Sequence, residues 1–308
     1  MRCFLLLFPA SIPLLVGPMH AGDTAWQLHL DRASAVGGRA SISSSGTQNR
    51  RVETTSPNRP GEVTEEKLQV TYKAVHQVQA VDPKGRATEM LLQIERLTTD
   101  DGSGLMEQFT AGTLITAKAA GDRTHYQLGH EALEGTLADA LDLAGAKLPN
   151  IREPSEDAVF LNQTPRHPGE RWNADPKRLA EAIAATSPFI IDPEASSAEI
   201  SFDELLTEGT VPALSTTTKY KIIPAVLRGS SAGEKLAQSH VTSITVRLFP
   251  LDPSLPIVKE TLETSMKLLQ NGPLNSTTET TFNREVTRHC DPLPDGELPL
   301  APPAGTPR

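Results

Sequence analysis

Four short stretches of this sequence bring together residue types that could do chemistry. GSSAG (Gly229–Gly233) has the spacing of a nucleophile elbow, with Ser231 at its centre. Such an elbow needs a strand entering and a helix leaving, so that the serine hydroxyl is thrust out on a strained turn near an oxyanion hole. Here the flanks, Tyr220 to Leu227 and His240 to Leu248, both read as strands, so GSSAG reads as the polar loop of a hairpin. No HGGG-like segment and no downstream Asp-then-His order goes with it. HYQLGH sets His125 and His130 at a spacing that suits neither one helix face nor the H-E-x-x-H zinc pattern. A metal site would have to be assembled from distant histidines and carboxylates. DDGSG (Asp100–Gly104) lacks the alternating oxygen ligands and closing Glu of a calcium loop, and a hairpin turn explains it.

The fourth stretch, TPRHPGERW (164–172), crowds His167, Glu170 and Arg171 beside one of two tryptophans. His167 as a general base would need an orienting partner that the sequence does not supply. Pro168-Gly169 is instead the favoured centre of a type II turn, where Gly accepts a positive φ. The turn would direct Trp172 onto a sheet as a large apolar anchor. Carboxylates are plentiful and none is singled out as an acid/base pair. No catalytic, cofactor-binding or metal-binding residue is therefore assigned, and no cofactor is implied. Asn162-Gln163-Thr164 and Asn275-Ser276-Thr277 match the glycosylation sequon, which matters only in a host that glycosylates.

The elements that would position these residues are mostly strands. From Glu66 the even positions Leu68, Val70, Tyr72, Ala74, Val78 and Ala80 are apolar, with His76 in the same row and polar residues between them. That period of two predicts a long half-buried strand. Asp82-Pro83-Lys84-Gly85 supplies turn chemistry, and Met90, Leu92 and Ile94 open a second strand of an antiparallel hairpin. Shorter strands are expected at 23–30, carrying Trp26, Leu28 and Leu30, and around 105–118 and 124–128. Residues 35–61, rich in Ser, Thr, Arg and Asn, read as a long exposed loop with a short strand near Ile42. Leu133, Leu137 and Leu141 predict a helix over 131–144, and Asp175-Pro176, as N-cap and first helical residue, starts another that ends at Pro188.

The second half returns to alternation. Leu214, Thr216, Thr218, Tyr220 and Ile222 form one row; His240, Thr242, Ile244, Val246 and Leu248 a second; Val258, Leu262, Thr264, Met266 and Leu268 a third. His76 and His240 are expected as partnered core imidazoles. An Asn271-Gly272 turn leads to a Thr-rich last strand. The fold class expected is α+β, mainly antiparallel β: long curved meander sheets in two halves, with about two helices between or against them.

Composition bounds the rest. Arg2, the apolar run Phe4 to Val16 and the small residues Ala21-Gly22 resemble a signal peptide over 1–21, too short and Pro-broken to span a bilayer. Cys3 precedes the apolar run, so it is not placed as an acylated lipoprotein cysteine. A β-rich domain is expected over 22–290, with halves 22–150 and 151–290, and a disordered Pro-rich tail over 291–308. Cys290 is the sole cysteine beyond the leader, which precludes an intrachain disulfide; it reads as a tolerated thiol near a flexible end. A formal charge of −9 and few aromatics argue against nucleic-acid or anionic-membrane binding.

VFLNQTPRHPGERWNAD, with Pro165, Gly169, Glu170 and Trp172, resembles a segment of a family of uncharacterised secreted bacterial β-rich proteins, a domain of unknown function. TLETSMKLL and STTETTF are similar to that family's closing strands. The resemblance implies a bacterial envelope, periplasmic or extracellular location and no known activity. The function expected is an exported non-enzymatic protein that binds an apolar ligand or an envelope partner on a curved antiparallel sheet. An envelope hydrolase using Ser231 or an assembled His/carboxylate site is the first alternative, and a structural or assembly protein without a pocket the second.

Overall fold

A computed structural model describes residues 24–57, 59–187, 189–208, 211–227, 236, 238–271 and 276–294. The chain builds β1 (Arg39–Ser56), β2 (Arg59–Val81), β3 (Ala87–Asp100), β4 (Met106–Glu107), β5 (Thr113–Ala120), β6 (Arg123–Leu128) and β7 (Glu131–Leu133). Two helices follow, α1 (Thr136–Leu143) and α2 (Glu156–Val159), then β8 (Arg171–Asn173), α3 (Pro176–Thr186) and β9 (Phe189–Ile191). The chain closes with β10 (Ser197–Glu208), β11 (Val211–Ile222), β12 (Pro224–Leu227), β13 (His240–Pro250), β14 (Lys259–Asn271) and β15 (Thr277–Leu293).

Thirteen of these strands form one antiparallel sheet in the order β7-β6-β5-β3-β2-β1-β15-β14-β13-β11-β10-β8, with β4 on β3; β9 and β12 pair separately. Each half is a meander, and the halves meet where β1 pairs with β15 from Arg39↔Leu293 to Thr55↔Thr277. The fold is thus α+β and mainly antiparallel β, as the alternation predicts.

One face of the sheet is covered by two apolar clusters. Tyr72, Leu92, Ile94, Leu97 and Ile115 pack against Leu141 and Leu143 of α1 in the first half. Leu28, Phe160, Leu179, Ile200, Phe202 and Phe249 pack with α2 and α3 in the second. Each such fully buried side chain contributes on the order of 1.5–3 kcal/mol. Helix α3 starts as its sequence directs: the Asp175 side chain accepts a hydrogen bond from the Arg178 amide, with Pro176 in the first turn.

Several expectations need correcting. Residues 35–61 are not a long loop, because 39–56 form an eighteen-residue strand at the centre of the sheet. Its backbone is paired on both sides, and its inward row, Ile42, Ser44 and Gly46, is small because α1 lies close. A Cβ at Gly46 would sit 3.0 Å from Leu143 Cγ, so the polar, small sequence serves packing. The strand expected from Glu66 begins at Arg59. The helix expected over 131–144 begins at Thr136, because Leu133 is spent pairing with Tyr126 in β7. Of the strand expected over 23–30, the described residues 24–30 make only an isolated Trp26↔Arg166 bridge, although Leu28 and Leu30 are buried as their spacing suggests. The short helix α2, capped by the Ser155 hydroxyl, was not foreseen. In β13 the inward row is Val241, Ser243, Thr245, Arg247 and Phe249, so His240 is exposed rather than a core imidazole, and Ile244 and Val246 face outward. β15 runs on to Leu293, so residues 291–293 are strand and not tail.

Candidate functional site

Among the described residues, the stretches that crowd reactive side chains do not form a site. Ser231, and the whole of GSSAG, lies outside the described residues, as do the leader 1–21, Gly272, Asn275 and residues 295–308. His125 and His130 are exposed on β6 and the turn after it. Asp100 and Asp101 accept hydrogen bonds from the amides of Gly102, Ser103 and Gly104, which closes the turn between β3 and β4. Among the described residues, no three His, Cys, Asp or Glu side chains are grouped so as to hold a metal ion.

TPRHPGERW folds as its turn chemistry directs. The Glu170 amide donates to the His167 carbonyl at 3.1 Å, and Gly169 has φ 86. Trp172 in β8 pairs with Ile200 and packs on the second core, with the Arg166 guanidinium 4.7 Å from its ring centroid. The preceding sequon is sealed: Asn162 is buried, and its amide nitrogen donates to the Leu28 carbonyl and to Asp157.

Cys290 is likewise buried, in the first core beside Ile42, and not a loose thiol at a chain end. Burial pushes its thiol up to about 11, although Arg288 pulls the other way. The thiolate is the nucleophile, so Cys290 should resist iodoacetamide at about pH 8 in the native protein and take up the label only when the protein is unfolded in urea. Mass spectrometry of both samples checks this; rapid native labelling would contradict the burial.

What the fold does assemble is a cavity of about 240 Å³ on the inner face of the second half. Val159 of α2 and Leu179, Ala182 and Ile183 of α3 form one wall; Ile222 of β11 and Val241 of β13 form the other. Glu153, Glu156, Tyr220 and Ser243 supply its polar atoms.

The segment carrying both glutamates is held from three directions. Arg86, paired with Asp82 at 2.8 Å, donates to the carbonyls of Asn150 and Glu153 at 3.1 and 2.9 Å. The Asn150 side chain donates to the Ala185 carbonyl at the end of α3. Asp31 accepts from the amides of Glu156 and Asp157, and Asp157 in turn accepts from the Leu30 amide.

A line of charge passes between the two cores. Arg247 bonds Glu156 and, at 2.8 Å, Glu260; Arg288 bonds Glu260 at 2.9 Å and reaches the Gly145 carbonyl after α1. Burial alone would lower the Arg247 pKa, but Glu156 and Glu260 outweigh it and the net shift is upward. Burial would raise Glu260, yet Arg288 and Arg247 hold it below the usual range. Tyr220 donates to Glu156 at 3.2 Å and, through burial and that carboxylate, titrates well above its ordinary value. Among the described residues Glu153 has no such partner. Burial pushes it up to about 7, with Glu156 adding to the shift and Lys147 and Arg86 opposing it.

Sequence reasoning placed Tyr220 on an inward row but missed Glu153, Glu156 and Arg247. The Ser155 cap before Glu156 was a readable signal for a helix start. Arg247 was hidden by taking the apolar-looking phase of β13 as the inward one.

No protein-family model matches the chain, and no curated protein does. One solved structure that is similar is described as lipid–protein interactions in lipovitellin, at 8% identity and a TM-score of 0.31, covering 85% of this chain and 26% of that one. The chain spans about a quarter of that protein's length, and a likeness at this level carries no argument. Among the described residues no helix is long and apolar enough to cross a membrane, which says nothing of strands.

Proposed function

We propose that this chain is an exported, non-enzymatic binding protein that holds a small apolar molecule on the inner face of its sheet, between α3 and strands β11 and β13. The observation that carries the reading is the cavity itself, about 240 Å³ with apolar side chains on both helix and sheet walls. The second core packs around this cavity, whose own volume is limited. That volume corresponds to about eight waters at ~30 Å³ each, below the ~300–1,000 Å³ of drug-sized sites. The occupant is then a single short chain or ring rather than a two-chain lipid. Export is supported by Arg2, the apolar run Phe4 to Val16 and Ala21, and by the resemblance of the Pro165–Trp172 segment to secreted bacterial proteins.

The uncharged fluorophore N-phenyl-1-naphthylamine should brighten on titration into the protein and saturate at one site. Ala182→Phe and Val241→Trp fill the cavity from opposite walls, and each should abolish the signal while far-UV circular dichroism is unchanged. A linear, unsaturable titration of the wild-type protein would reject the cavity as a binding site.

A further inference from the structure

The polar end of the occupant follows from the same cavity, and this step rests on the binding reading above. Three of the four polar side chains in the lining are already engaged. Tyr220 and Arg247 both bond Glu156, and Ser243 Oγ lies 3.0 Å from Thr264 Oγ1. The Glu153 carboxyl differs, because among the described residues it takes part in no hydrogen bond or ion pair, although its backbone is fixed by Arg86. A carboxylate half withdrawn from water with no partner carries a cost, and a charged donor arriving beside it removes that cost. Glu153 and Glu156 line the cavity together, so an anionic head would meet two carboxylates and a neutral head would leave Glu153 uncompensated.

We propose that the cavity takes a monoalkyl or arylalkyl ammonium ion: its N–H groups donate to the Glu153 carboxylate and its tail lies between Leu179, Ile183, Ile222 and Val241. The charged groups acting on Glu153 come from several elements. Lys147 follows α1 and Arg86 precedes β3, both favouring the carboxylate; Glu156 of α2 and Asp31 of the N-terminal segment oppose it. The protein's formal charge of −9 adds a favourable field for a cation.

Calorimetric titration of the full chain with octylamine, octan-1-ol and octanoate near pH 8 tests the assignment. Octylamine should bind at least ~10-fold tighter than the alcohol, with octanoate weakest, and Glu153→Gln should bring amine and alcohol level. The wild-type protein carries its own check should the variant fold poorly. Lowering the pH to about 5.5 protonates Glu153 while an alkylammonium, with a pKa near the ~10.4 of lysine, keeps its charge, so the amine's advantage should shrink. Equal binding of amine and alcohol near pH 8 would overturn the ammonium assignment and leave the apolar-binding reading standing. An amine preference unchanged by both Glu153→Gln and low pH would remove Glu153 from the role. No binding by any of the three would overturn both readings.

Discussion

Arg247→Met should lower the stability of the protein by about 2–4 kcal/mol in urea unfolding. Methionine keeps most of the side chain's stem and removes the guanidinium that joins Glu156 of α2 to Glu260 of β14. Breaking a buried ion pair from one side costs about 3–5 kcal/mol, because the remaining charge is left in a poor solvent. Here the side chains of Arg247, Glu260 and Glu156 keep 17%, 20% and 28% of their exposure, so the cost is discounted toward that of solvated pairs. Arg288 still holds Glu260, which makes Glu156 the more exposed casualty. Adding Glu156→Gln to Arg247→Met should therefore recover part of the loss, the sign of a charge left unpaired rather than of lost packing. A loss below about 0.5 kcal/mol would mean that these groups behave as an ordinary surface pair.

The same residues mark how far the sequence was legible. The hairpin of β2 and β3 could be read because apolar and polar residues alternate there without exception over the inward row from Leu68 to Ala74, and the Asp82–Gly85 turn closes it with a 2.9 Å hydrogen bond. α3 could be read from Asp175-Pro176, since capping is local chemistry. β1 could not, because its burial depends on neighbours distant in sequence. Ser44 and Gly46 look like loop residues until β2, β15 and α1 surround them, and Ser44 then donates to the Ala144 carbonyl. The candidate site failed to show for a related reason. Glu153, Glu156, Tyr220 and Val241 come from three separate stretches, and only the sheet register and the Arg86 clamp bring them together. In β13 the more apolar-looking row faces outward, and the inward one carries an arginine because Glu156 and Glu260 are there to receive it.

Between about pH 4.5 and 6.5 the protein's stability should change little with pH, and Glu153→Gln should expose a steep loss on acidification. Two buried groups act with opposite sign there. His76 is buried against Tyr72, whose hydroxyl lies 2.8 Å from Nε2, and burial followed by the Arg288 charge drives its pKa from 6.5 down to about 3. The unfolded chain therefore takes up a proton below 6.5 that the folded chain refuses. This contribution is complete above 6.5 and is lost as the pH falls toward 3, by about 1.4 kcal/mol per unit. Glu153 is shifted the other way, from 4.5 up to about 7, so the folded state holds its proton more tightly. Its contribution is complete below 4.5 and is lost as the pH rises through 7. Over the shared window the two slopes oppose, with Glu153 the shallower because it is only half-buried. The paired carboxylates Asp82, Asp252 and Glu260, whose pKa values are lowered, withdraw their support only below that window, while Asp139 adds a small effect of the Glu153 sign at its lower edge. Removing Glu153 leaves His76 unopposed, so Glu153→Gln should lose about 2–3 kcal/mol between pH 6.5 and 4.5. His76→Phe should show the reverse, gaining stability as the pH falls through that interval from whatever level the lost Tyr72 contact leaves it. Urea midpoints for the three proteins across that interval decide the matter. Parallel profiles would mean that neither group titrates differently in the folded and unfolded chains.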